Sequence, residues 1–291
     1  MKSFVVLFAL AAVACGSVVP EENTAYGYLA KYGIPLAEKI KAAEEEFLSN
    51  PSRIVGGSPA SLGEIPWQAG LLIDLEGFQG QGVCGGSLLS NNRVLTAAHC
   101  WFDGINRAWR FTVILGSTLL FSGGTRIQST DVVNHPSWFP LLARNDISVI
   151  RLPSAVTFSN IIAPIALPTG ALASETFVGE IGVASGFGLT QDGGSISANQ
   201  FLSQVSLPII TNAQCSLSFP IIVQSSNICI SGAGGRSTCN GDSGGPLVVT
   251  RNNQPILVGV TSFGSPDGCQ AGRPAAFARV SSFLDFINNN L

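Results

Sequence analysis

Beyond Ile54 this chain has no lysine and no tyrosine. Lys2, Lys31, Lys39 and Lys41 all precede it, as do Tyr26, Tyr28 and Tyr32, while ten arginines follow it. Charged residues make up only 11% of the 291 residues, against 46% hydrophobic, and the formal net charge is -3. That balance excludes a charged, disordered chain. With no basic cluster, it also argues against nucleic acid as a partner. Only two histidines and no CxxC pair are present, so a metal site lacks its usual ligands. No repeat at solenoid or propeller spacing occurs. Past the first residues no apolar run approaches the roughly 20 residues that a membrane helix needs.

What is present starts with "MKSFVVLFALAAVACGS". One lysine, a short apolar run and small residues read as a signal peptide over residues 1–17, so the product is expected to be secreted and extracellular. Of seven cysteines, Cys15 leaves with that segment. Six remain in an oxidising compartment and allow 15 pairings. Pairing of sequence neighbours would give Cys84–Cys100, Cys215–Cys229 and Cys239–Cys269. Residues 18–53 form a second zone, rich in helix formers and charge. The boundary falls at "NPSRIVGGSPA". From Ile54 onward, short apolar or alternating runs such as "WQAGLLIDL", "RFTVILGS" and "ILVGVTSF" are separated by Gly, Pro, Asn and Ser clusters, the spacing of an all-β barrel or sandwich. In that part only "SSFLDFINNNL" repeats apolar residues at helical intervals, which predicts a C-terminal helix.

Chemistry centres on "RSTCNGDSGGPLVV". Gly, Asp, Asn and Ser are ordinary turn residues, but Ser243 between glycines also suits a nucleophile that a substrate carbonyl must approach closely. A serine hydroxyl needs a base and a carboxylate that orients the base. His99 in "VLTAAHCW" follows an apolar strand and precedes a cysteine that can anchor it. His135 in "VVNHPSW" sits in a polar turn and reads as structural. Asp146 in "RNDISVIRL" opens an apolar strand. The order His99, Asp146, Ser243 is one of three known for this triad.

The motifs "IVGG", "LTAAHC", "NDISVIRL", "GDSGGP" and "VTSFG", in that order, resemble the chymotrypsin-type serine endopeptidases from Ile54 to the C-terminus. The resemblance implies two packed six-stranded antiparallel β-barrels with the active site between them. It makes His99 the general base, Asp146 its orienter and Ser243 the nucleophile. The N–H groups of Gly241 and Ser243 would form the oxyanion hole. It also implies the three disulfides above, with Cys84–Cys100 bracing His99 and Cys239–Cys269 tying the walls of the specificity pocket. Residues 18–53 become a propeptide, and Arg53 becomes the cleavage point for an activating trypsin-like protease. The new Ile54 ammonium would insert beside Asp242. The implied partners are protein and peptide substrates, the activator and protein protease inhibitors, with no cofactor, no metal, no nucleic acid and no membrane. A monomer is expected.

Specificity follows from the same alignment. Trypsin-like relatives carry an Asp six residues before the nucleophile, where this chain has Ser237. An uncharged floor does not repay the desolvation of a buried Arg or Lys side chain. Gly264 keeps the pocket wall open, Ala275 stands where many relatives have Gly and would shorten the pocket, and Ser262 and Gly264 would pair with substrate backbone as an added strand. Cleavage after Phe, Leu and Tyr is expected, with Trp penalised. The alternatives are an elastase-like or collagenolytic specificity, or a non-catalytic homologue, although the full triad and activation site weigh against the last. Lysine and tyrosine titrate near ~10, whereas arginine stays charged above ~12. Their absence after Ile54 resembles insect digestive chymotrypsin-like enzymes and points to an alkaline fluid such as a gut lumen.

Overall fold

A computed structural model of the chain describes residues 23–49, 60–193, 196 and 201–291. The expected signal peptide, Arg53 and Ile54 lie outside the described residues. Seven strands form the first half: β1 (Gln68–Leu75), β2 (Gln81–Ser90), β3 (Arg93–Thr96), β4 (Ala108–Leu115), β5 (Thr125–Ser129), β6 (Val132–Asn134) and β7 (Ser148–Arg151). They lie in the order β5-β4-β1-β2-β3-β7-β6, and every pairing is antiparallel.

The two edges of this sheet, β5 and β6, are separated by only residues 130–131. Ser129 Oγ takes the Asp131 N–H at 3.2 Å and donates to the Arg151 carbonyl at 2.6 Å. A local side-chain bond of this kind competes with the ladder and breaks the strand. The chain then switches its pairing from β4 to β7, and the Arg151 N–H reaches the Asp131 carbonyl at 2.9 Å. The six-stranded barrel expected from the sequence is thus present with one strand split in two.

The second half is a closed barrel of β8 (Ile181–Gly186), β9 (Ser203–Ile210), β10 (Asn227–Ile230), β11 (Pro246–Arg251), β12 (Gln254–Phe263) and β13 (Ala275–Arg279), in the order β10-β13-β12-β11-β8-β9. Asn252 and Asn253, both at positive φ, make the tight turn between β11 and β12, as a two-residue hairpin requires.

Among the described residues there are three α-helices: α1 (Ile34–Ser49), α2 (Asn212–Ser216) and α3 (Leu284–Asn288). The last is the expected C-terminal helix, and its Ile287 is buried against the first barrel's core. The sequence reading passed over α2. Its signal was "TNAQ", whose Thr211 and Gln214 form a reciprocal capping box.

β1 shows why α1 belongs to the fold. Leu71 and Ile73 face the first barrel's interior with Phe111, Leu95 and Val149. Leu72, on the opposite face, packs with Leu36, Ala37 and Ile40 of α1. Both faces of β1 are therefore covered, and nearly every residue in it is buried. The second barrel holds its own core around Phe277, Ile228, Leu247 and Val258. Among the described residues no helix is long and apolar enough to cross a membrane.

Among the buried polar bonds that cross from barrel to barrel, Ser185 Oγ donates to Gln68 Oε1 at 2.7 Å. Gln68→Ala would strand the hydroxyl, and we expect a loss of about 1–3 kcal/mol in urea unfolding. Ser185→Ala added to it should cost little more, because both partners are then gone. Additive losses would contradict this.

Candidate active site

His99 lies on a single 3-10 turn, Ala98–Cys100, directly after β3. Cys100 of that turn is bonded to Cys84 of β2, so the ring is carried on a stapled support. Asp146 lies just before β7, which pairs with β3 through Thr96 and Ser148. Adjacent strands thus bring the two side chains together. Asp146 Oδ1 accepts the His99 backbone N–H at 2.9 Å, and Oδ2 lies 2.7 Å from His99 Nδ1. Ser262 Oγ donates to the same Oδ2 at 2.5 Å. Three donors therefore hold the carboxylate. It fixes the proton on Nδ1 and leaves Nε2 free to accept one. Nε2 is buried and has no hydrogen-bond partner among the described residues.

Ser243 arrives from the second barrel, in the turn before β11. Its carbonyl accepts the Gly85 N–H at 2.7 Å, and the Gly244 N–H reaches the Thr261 carbonyl at 2.8 Å. Gly244 sits at φ +79°, and a Cβ there would stand 2.2 Å from Thr96 Oγ1 and 2.5 Å from the Gly85 carbonyl. Gly241 sits at φ +100°, with only 2.5 to 2.7 Å from a Cβ to Leu36 Cδ2 and Gly188 Cα. Neither position accepts a side chain.

A cavity opens beside Ser243, lined in part by Ser237, Thr238, Ser262, Gly264 and Arg273. A Cβ on Gly264 would meet nothing within 4 Å, so that wall is open. Cys239 and Cys269 are bonded and both line it, and Cys215–Cys229 is the third disulfide. Ala275 pairs with Ile230 in β13 and is buried in the second barrel's core.

A family model described as Trypsin matches residues 54–287. This chain belongs to the trypsin family. It is a serine endopeptidase of that family and acts on protein substrates. It is 43% identical over 237 residues to Brachyurin of Leptuca pugilator, covering 80% of this chain and 96% of that protein. Serine protease 1 of Drosophila melanogaster is 40% identical over 242 residues, covering 82% and 85%. Collagenase of Hypoderma lineatum is 37% identical over 240 residues, covering 82% and 87%. Among solved structures, that of HL collagenase superposes with a TM-score of 0.73 at 36% identity, over 81% of this chain and 98% of that one.

Within this trypsin-family fold, the residues that the sequence reading missed come from the N-terminal segment. Tyr28 is buried, and its hydroxyl donates to the Val83 carbonyl at 2.9 Å and accepts the Gly241 N–H at 3.2 Å. The Ser243 hydroxyl approaches the same phenol, and burial pushes the phenol well above its usual range. The ring meets His99 edge-on, with centroids 5.0 Å apart. Thr24 Oγ accepts the Gly264 N–H at 3.0 Å. Arg273, ion-paired to Asp267 at 2.8 Å, also lines the cavity. His135 meets Phe283 edge-on and Phe286 at a tilt, in keeping with a structural role.

The groups with metal-ligand chemistry, Cys84, His99 and Cys100, and Asp192, Cys239 and Cys269, each include a disulfide pair. Disulfide sulfurs are not thiolates and make poor ligands.

Asp242 is buried and accepts the Gly188 N–H at 2.9 Å and the Cys239 N–H at 2.8 Å. Burial outweighs these bonds and raises its carboxyl from 3.8 to about 6. A folded value above the unfolded one favours the fold while the group is protonated. That contribution is complete below pH 3.8 and is lost as pH rises through about 6. The interval corresponds to about 3 kcal/mol. Urea unfolding of the uncleaved chain at pH 4 and pH 7 should therefore show wild type losing up to that much relative to Asp242→Asn. Parallel pH dependences of the two proteins would contradict it.

Proposed function

We propose that this chain is a secreted serine endopeptidase made as a zymogen, with residues 1–17 as signal peptide, 18–53 as propeptide and 54–291 as the peptidase. The observation that carries the reading is the Asp146–His99 pair, braced by Ser262, beside Ser243 and the Gly241 N–H between the two barrels.

In this mechanism Ser243 Oγ attacks the scissile carbonyl while His99 Nε2 takes its proton. The oxyanion accepts the N–H groups of Gly241 and Ser243. The C–N bond then breaks as His99 returns the proton to the leaving amine. Water hydrolyses the resulting ester by the same route, with its proton passing to His99 and back to Ser243. Asp146 holds the ring in the Nδ1–H form. Asp242 supports the activation reading because it borders a cavity of about 380 Å³, lined also by Ser185, Gly186, Ser237 and Thr238. An Ile54 ammonium freed by a trypsin-like activator at Arg53 would enter there and pair with the buried carboxylate.

The uncharged Ser237 and the open wall at Gly264 support cleavage after large apolar residues, Phe and Leu first. The relatives named collagenase support a second reading, collagenolytic specificity within the same site. The absence of lysine and tyrosine after Ile54 supports a digestive role in alkaline fluid. The enzyme would work as a monomer and meet protein inhibitors in that cleft.

Matched peptide anilides ending in Phe, Leu, Ala, Trp and Arg, assayed before and after trypsin treatment, test this directly. Hydrolysis should appear only after treatment, with Phe or Leu leading, and Ser243→Ala should lower kcat about 10⁶-fold. Leading activity on Arg would overturn the pocket reading. Hydrolysis that survives in Ser243→Ala would overturn the mechanism. The alkaline reading expects activity to persist above about pH 9, and its reversible loss there would overturn it.

A further inference from the structure

The described part of the proposed propeptide, residues 23–49, lies inside the site. Tyr28 places an oxygen on the Gly241 N–H and an aromatic edge on His99, and Thr24 occupies the Gly264 N–H. These are the groups through which the proposed mechanism would hold a substrate. With Tyr28 in place His99 is fully buried and Ser243 almost so. The oxygen offered to Gly241 is a phenol, with no carbonyl carbon for Ser243 to attack. The segment therefore fills the site without being a substrate at that point.

Its other anchors hold it to the first barrel. The Leu29 N–H donates to buried Asp103 Oδ2 at 2.8 Å, and the Gly27 N–H to the Asp103 carbonyl at 3.1 Å. Buried Glu44 accepts the Leu120 and Phe121 N–H groups at 2.6 and 2.9 Å. Leu36, Ala37 and Ile40 add an apolar face against Leu72, Val83 and Ile114. None of these contacts involves the Arg53–Ile54 bond, which lies beyond the end of α1 at Ser49. Residues 18–53 contain no cysteine, so hydrolysis at Arg53 leaves no covalent tie to the enzyme and removes none of the contacts above.

A second observation concerns release. Lys31, Lys39 and Lys41 are exposed on this segment, while the peptidase itself has no lysine. A trypsin-like activator thus finds three further cutting points in the plug.

We propose that cleavage at Arg53 alone leaves residues 23–49 in the cleft as a reversible, non-covalent inhibitor, and that further hydrolysis at Lys31, Lys39 and Lys41 releases them. The inference rests on the assignment of Ser243, His99 and Gly241 given above. Each cut adds water across a peptide bond and yields a carboxylate and an ammonium. Three short fragments then replace one ligand, and the advantage of holding all the anchors together is lost.

The test uses the uncleaved chain with Lys31→Gln, Lys39→Gln and Lys41→Gln combined, treated with trypsin alongside wild type. Both should yield the Ile54 N-terminus at equal rates. In the triple variant the fragment ending at Arg53 should co-elute with the peptidase on gel filtration. Hydrolysis at micromolar enzyme should stay at least about tenfold below wild type and recover on dilution. Adding Tyr28→Phe, which removes both hydroxyl bonds, should weaken retention about tenfold. A fragment that separates from the enzyme as soon as Arg53 is cut, with hydrolysis equal to wild type, would overturn the inference. So would retention indifferent to Tyr28→Phe. Absence of hydrolysis from fully digested wild type would instead overturn the protease mechanism, and co-elution would still decide whether the segment is retained.

Discussion

The site depends on a close backbone crossing between the barrels. The Gly85 N–H of β2 meets the carbonyl of Ser243, and Thr96 Oγ1 of β3 donates to the Gly85 carbonyl at 2.8 Å. Thr96 is three residues before His99, so one short network sets where the histidine and the serine stand relative to each other. The crossing is tight enough that a Cβ on Gly244 would overlap both Thr96 and Gly85. The glycines of "GDSGGP" are therefore as much a condition for docking two barrels as for admitting a substrate. Sites assembled between rigid elements hold geometry well, because neither barrel deforms easily around its own packed core.

Charge is handled in the same place with few groups. Asp146 is buried but satisfied by three donors, and its partner is the one ring it must orient. Asp242 is buried with two donors and a raised carboxyl. Two buried carboxylates thus sit in different environments, one satisfied and one short of a counter-charge. A zymogen can use that imbalance, since a new ammonium relieves the second without disturbing the first. The N-terminal segment adds another layer, capping the Gly241 N–H with a neutral phenol that tolerates burial far better than an anion would.

Much of this was readable in the sequence. The runs around "WQAGLLIDL", "RFTVILGS", "GGPLVVT" and "ILVGVTSF" became β1, β4, β11 and β12, and "SSFLDFINNNL" became the terminal helix. Neighbouring cysteines are paired. Other features escaped because they depend on long-range placement. The break between β5 and β6 rests on Ser129 reaching Arg151 across the sheet. The burial of Ala275 in the second barrel rests on the register of β13 against β10. Arg273 was invisible as a wall residue, since its role depends on how the loop before β13 folds back. Local capping in "TNAQ" was legible and went unread.

The sequence by itself determined the residue types and their order: a histidine, an aspartate and a serine at fixed intervals, glycines where a side chain is forbidden, and a lysine-free stretch after Ile54 behind a lysine- and tyrosine-bearing N-terminal segment. Those are matters of composition and local pattern. Only the tertiary structure decided that Tyr28 lies on Gly241 and His99, that Ser262 braces Asp146, and that α1 covers β1. Such contacts join residues tens to hundreds of positions apart, and nothing in a local window fixes which buried donor will meet which acceptor until the two barrels have closed.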